Sequence, residues 1–115
     1  MATSAVTAHF EKSEPGVHAT YKEILKVAKA LGSVKEEAKK TSIHLVRRTA
    51  FAGIATRKNA LILTLKSDSD LPSKRVTKRE RVSANRWHLE VRLSDPAQVD
   101  KEIAVWLRRA YELAE

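Results

Sequence analysis

The chain has no cysteine, and only three glycines, three prolines and six aromatic side chains among its 115 residues. The missing thiols exclude a cysteine nucleophile, a thiolate zinc centre and a disulfide framework, and they make a reducing cytoplasmic setting the expected one. Gly16, Gly32 and Gly53 stand far apart, so there is no glycine-rich phosphate loop, dinucleotide fingerprint or nucleophile elbow. No apolar run approaches the ~18 residues needed to span a bilayer. The stretch from Met1 to Phe10 lacks the basic start and long apolar core of a secretory signal, and the first arginine is Arg47, which speaks against a transit peptide. One domain is expected, residues 1–115 with 1–9 as a loose lead-in, and its core should hold without metal or cross-links.

What is abundant is positive charge, and it is unevenly placed. The formal net charge is +8. Residues 1–40 carry seven Lys/Arg against five Asp/Glu, residues 41–92 carry twelve against four, and residues 93–115 carry three against five. The middle stretch therefore holds the whole excess, and a surface built from it is a candidate anion-binding surface.

Hydrophobic spacing divides the chain into helix, sheet and helix. Val17, Tyr21, Ile24, Ala28 and Leu31 form one helical stripe after Glu14-Pro15-Gly16, with Gly32 expected as its left-handed stop. Phe10, ahead of it, is expected to fold back on the core. Asp95-Pro96-Ala97-Gln98 has an N-cap carboxylate, a proline at the first helical position and the glutamine of a capping box, and Val99, Ile103, Trp106, Ala110 and Leu113 follow as a buried stripe. Between the helices the period changes to two. Five strands are read: Thr41 to Arg48, Ala50 to Arg57, Ala60 to Ser67, Arg75 to Val82 and Arg86 to Leu93. Lys58-Asn59 and Ser83-Ala84-Asn85 suit hairpins, Gly53 suggests a bulge or close backbone approach, and Ser67 to Ser73 is the longest and most mobile turn. The expected fold is an α+β two-layer sandwich, a meander of about five antiparallel strands with the N- and C-terminal helices on one face (α-β5-α). The other face stays open.

That open face is where a ligand is expected. The last strand points Arg86, His88 and Arg92 outward, and a regular hairpin adds Arg75, Thr77, Arg79 and Arg81 beside them. Guanidinium groups on strands ~4.8 Å apart repel one another unless an anion lies among them. The leading expectation is a non-enzymatic binding module whose basic face engages nucleic-acid backbone through Arg57, Lys58, Arg79, Arg81, Arg86, His88 and Arg92. Phosphates rather than bases would be read, because Phe10, Tyr21, Phe51, Trp87, Trp106 and Tyr111 fall mostly on buried stripes. Two alternatives stand beside it: a small anionic-metabolite or catalytic pocket lined by His44, Arg57, Ser83, Arg86 and His88, and a regulatory domain that docks an acidic protein. A plain solvated face is the bland reading, since arginine stems cover apolar surface well.

No metal or cofactor is expected. His44 and His88 could approach across the sheet but have no third ligand in set spacing, and His9 and His18 read as surface residues. Asp68-Ser69-Asp70 is explained by turn chemistry. His88 and Glu90 share a strand face but lie roughly 7 Å apart, too far for one acid–base unit.

Four polar runs carry a resemblance. Lys40-Thr41-Ser42-Ile43-His44, Phe51-Ala52-Gly53 with Arg57-Lys58, Ser83-Ala84-Asn85-Arg86-Trp87-His88 and Trp106-Leu107-Arg108-Arg109-Ala110-Tyr111 together resemble the bacterial domain-of-unknown-function family numbered 5655, from about Phe10 to Tyr111. The resemblance implies domain limits and no activity. In architecture alone the chain is similar to the frataxin-like or YjbR-like α/β plait. Frataxins hold iron on an acidic first helix, whereas Lys22, Lys26 and Lys29 here outnumber Glu23, so iron delivery is not implied. The YjbR branch is described as DNA-binding, in keeping with a basic sheet.

Overall fold

In the computed structural model, which describes residues 5–70 and 73–114, the chain forms two short and two long elements around one sheet. They run α1 (Ala5–Ala8), α2 (Pro15–Lys29), β1 (Lys35–Ala38), β2 (Ile43–Val46), β3 (Ala50–Thr56), β4 (Leu61–Ser67), β5 (Val76–Ser83), β6 (Arg86–Leu93), a 3-10 turn (Pro96–Gln98) and α3 (Lys101–Leu113). All neighbouring strands are antiparallel, in the order β1-β2-β3-β4-β6-β5. The sheet thus has six strands rather than five, and it is not a simple meander, because β5 lies outside β6.

Each strand of the centre is an alternation with one apolar side. Leu61, Leu63 and Leu65 of β4 pair with Leu93, Val91 and Leu89 of β6, and all six are buried. Ile43, Leu45 and Ile54 continue that layer through β2 and β3. Val17, Tyr21 and Ile24 of α2 and Ile103, Trp106, Leu107 and Ala110 of α3 close over it. Each such Leu or Ile removed from water contributes about 2 kcal/mol, so the helices are held to this face and the other is left open. Phe10 joins the core as expected, and His18, expected at the surface, is half-buried and stacked on its ring at 4.5 Å.

Several local expectations are corrected. The extra strand β1 is Lys-Glu-Glu-Ala, an edge with no apolar alternation; Tyr21 Oη donates to Glu36 Oε1 across 2.9 Å and ties it to α2. Burial, then the charge of Glu36 and this bond, pushes the Tyr21 phenol far above its ordinary range. Gly32 is not the helix cap, since Ala30 occupies that place in a right-handed conformation. Its φ of 153° and the collision that a Cβ would make with the Tyr111 hydroxyl nonetheless reserve the position for glycine. Asp95 and Gln98 do form a complete capping box, but it caps only the 3-10 turn; Asp100 caps α3, accepting from the Ile103 amide at 3.2 Å. The bulge lies between Leu45 and Val46, while Gly53 pairs regularly with His44 and Thr64. The expectation of a mobile turn over Ser67 to Ser73 falls partly on residues 71 and 72, outside the described residues.

Candidate functional site

Directly paired residues on antiparallel strands share a face, so the register assigns every charged side chain of the sheet. The open face carries Lys35, Lys66, Lys78, Arg86 and Arg92 against Glu37, Glu80 and Glu90, with His44 and His88. This is a modest positive excess. It is smaller than the sequence suggests because β5 presents the opposite side from the one expected.

A register shift between Val76 and Lys78 causes the reversal. After it, Lys78 and Glu80 pair with Glu90 and His88 on the open side, whereas Arg79 and Arg81 pair with Leu89 and Trp87 on the helix side. A slip of one residue exchanges the faces of everything that follows. Each of these arginines also has local partners. Arg79 donates from Nε to Asp70 at 2.6 Å, and Arg81 donates to the Ser83 and Ala84 carbonyls while lying 5.9 Å from the Trp87 ring centre. Arg75 bridges Asp100 and Glu102 at 2.9 and 3.1 Å and also donates to the Gln98 carbonyl, which ties the approach to β5 to the start of α3.

The remaining expected contacts separate to the two ends of the sheet. Arg57 and Lys58 lie in the β3–β4 turn, near Arg92, which donates to Asn59 Oδ1 at 3.1 Å. Arg86 and Ser83 lie at the β5–β6 hairpin, the other end of strands that at ~3.3 Å per residue are about 20 Å long. The pocket expected from His44, Arg57, Ser83, Arg86 and His88 is therefore not formed as such.

Two of its members do converge. On the open face a trough of about 480 Å³ is lined by Ser42, His44, Thr64, Lys66 and His88, over a floor that includes Ala50, Gly53 and Ala55. His44 and Thr64 flank Gly53 on the neighbouring strands, and Lys66 pairs with His88 one row further along. The histidine backbones are three strand spacings apart, roughly 14 Å, so they face each other across the trough and do not form a chelating pair. Gly53 keeps the floor low: a Cβ there would lie 3.7 Å from His44 Cδ2 and 3.9 Å from Thr64 Cβ, ordinary contacts that folding does not forbid. No carboxylate lines the trough. Lys66 makes no ion pair among the described residues, and its only hydrogen bond is a long one, 3.4 Å, to Thr49 Oγ1. A hydroxyl, two imidazoles and an ammonium over an apolar floor can bind an oxyanion and the carbon skeleton attached to it. Lys66 and Thr64 were not among the residues expected at the site, although the alternation of Leu61, Leu63 and Leu65 leaves both at outward positions of their strand.

Among the described residues no group of three or more His, Asp or Glu side chains is placed to hold a metal ion. No helix of the described residues is long and apolar enough to cross a membrane. A family model described as "Domain of unknown function (DUF5655)" matches residues 6–114. No curated protein and no solved structure matches the chain.

Proposed function

We propose that this chain, which belongs to the DUF5655 family of domains of unknown function, binds a small anionic ligand in the open-face trough without transforming it. The observation that carries the reading is the lining itself: His44, Thr64, Lys66 and His88 around a concave apolar floor, with the open-face acids Glu37, Glu80 and Glu90 outside the lining and Lys66 in no ion pair among the described residues. A volume of about 480 Å³ suits a metabolite. The absence of thiols agrees with work in the cytoplasm.

The polyanion reading, nucleic-acid backbone across the sheet, draws on the +8 charge. It ranks second because the residues named for it are divided between two faces and two ends. A melting-temperature screen with small carboxylates, phosphates and nucleotides, followed by calorimetry, tests the first reading. A bound ligand raises the melting temperature, and Lys66→Ala weakens its affinity about tenfold, as expected for one charge-assisted hydrogen bond worth roughly 1.5 kcal/mol. Affinity unchanged in Lys66→Ala and in His44→Ala sinks it. Binding only to oligonucleotides, with a steep salt dependence, transfers the case to the polyanion.

A further inference from the structure

A second groove lies away from the trough, between the N-terminal segment and the β3–β4 turn. It has a volume of about 460 Å³ and is lined by Ala8, His9, Glu11, Lys12, Ser13, Thr56, Arg57 and Lys58. Three full positive charges meet one negative charge there. Glu11 forms no ion pair with any of the three, and neither Lys12, Arg57 nor Lys58 is paired with a carboxylate among the described residues.

The hydrogen bonding of the walls matters more than the count. The segment is clasped to the sheet by bonds that use up acceptors: Thr56 Oγ1 donates to the His9 carbonyl at 2.8 Å, Ser13 Oγ to the Arg57 carbonyl at 2.7 Å, and the Glu14 amide to the Lys58 carbonyl at 2.7 Å. Arg57 itself spends one guanidinium N–H on the Thr56 carbonyl at 3.1 Å. Four carbonyl oxygens around the groove are thus occupied by protein donors. Uncommitted donors are left over: most of the Arg57 fork, which matches phosphate oxygens in two-point fashion, and the ammonium groups of Lys12 and Lys58. Glu11 is the one acidic side chain of the lining, and three cations with spare donors against it select an anion.

We infer that this groove binds a phosphate group, held by Arg57 and Lys58 from the turn and by Lys12 from the segment. Because the cations come from both sides, the phosphate also fastens residues 9–14 to the sheet. The site is separate from the trough and does not depend on it.

Amide hydrogen exchange of residues 9–14 reads this directly. Inorganic phosphate is compared with chloride at matched ionic strength, so that general screening cancels. With a dissociation constant of about 1 mM, about 10 mM phosphate slows the local opening roughly tenfold. The double variant Arg57→Gln/Lys58→Gln removes the phosphate-dependent part. Its exchange in chloride is unchanged, because the backbone clasp remains and the two side chains are exposed. Lys66→Ala, in the trough, keeps the full effect. Exchange that does not respond to phosphate, or that responds equally in the double variant, overturns the assignment; a response lost in Lys66→Ala as well gives the phosphate to the trough instead. Parallel arms with a mononucleotide and a short single-stranded oligonucleotide separate the sources of the group: protection by all three means a free phosphate suffices, and protection by the oligonucleotide alone overturns the small-phosphate site.

Discussion

The two hairpins at opposite corners of the sheet start from similar basic residues and reach opposite electrostatic states. Around β5, Arg75, Arg79 and Arg81 are each engaged by carboxylates or carbonyls, three of whose carboxylate partners are Asp70, Asp100 and Glu102. At the β3–β4 turn, Arg57 and Lys58 form no ion pair among the described residues: Glu11 shares their groove but is bonded to neither, and the one protein acceptor of the Arg57 guanidinium is the Thr56 carbonyl. Counting charge in a sequence therefore overstates what is available to a ligand. What matters is how many acceptors the fold brings to each cation.

The largest effect that would sharpen this contrast is on stability. Arg75→Ala removes a bridge to two carboxylates and a carbonyl from a side chain only 27% exposed, and it leaves Asp100, the cap of α3, with the Ile103 amide but without its arginine. Charge-assisted hydrogen bonds, discounted for partial exposure, put the loss at about 1–2 kcal/mol. Arg57→Ala, with one bond to its neighbour's carbonyl, should stay within about 0.5 kcal/mol. Chemical denaturation of both variants checks the pair. Equal losses would erase the distinction between engaged and open cations.

A smaller effect separates the same regions by acid titration. The Arg75 hydrogen bond, then the Ile103 amide, holds the Asp100 carboxyl below its ordinary range. A carboxyl with a lowered folded-state pKa contributes stability that is present above its unfolded value near 3.8 and fades as the pH falls through the folded value. Stability should therefore decline below about pH 4, and part of that decline should vanish in Arg75→Ala. Arg57→Ala should leave the acid limb unchanged. Denaturation midpoints across this range decide it.

The sequence was most legible where one period dominates. In β6, Trp87, Leu89, Val91 and Leu93 alternate with polar residues, and its bounds agree with the structure. β1 could not be read this way, because an edge strand of Lys-Glu-Glu-Ala has nothing to bury except the reach of Glu36 to Tyr21. The facing of β5 was hidden for a related reason. Apart from Val76 every residue in it is exposed, so no apolar side chain marks the inside, and the register shift after Val76 leaves no trace in composition. For the trough, His44 and His88 were legible as strand residues. The remaining signal was Ala50, Gly53 and Ala55 at outward positions of a central strand, where β-branched residues usually sit. Lys12 carried no signal, since its place depends on a segment far earlier in the chain folding back onto the turn it faces, as the Ser13–Arg57 bond across 44 residues shows.

The histidines give the finest test of the contrast between closed and open regions. His18 packs against Phe10 inside the closed side of the molecule, and burial, then the charge of Lys22, lowers its pKa below 6.5. The fold therefore prefers the neutral ring. The stability this confers is complete above the unfolded value near 6.5 and is lost as the pH falls below it, levelling off once the folded form also takes up the proton. The melting temperature should be lower at about pH 5.5 than at about pH 7.5, and His18→Phe, which keeps a ring against Phe10, should flatten that difference. A slope that survives unchanged in His18→Phe would show that the pH-sensitive group is not the ring packed on Phe10, and the division between a closed side that spends its charges on folding and an open side that keeps them would fail.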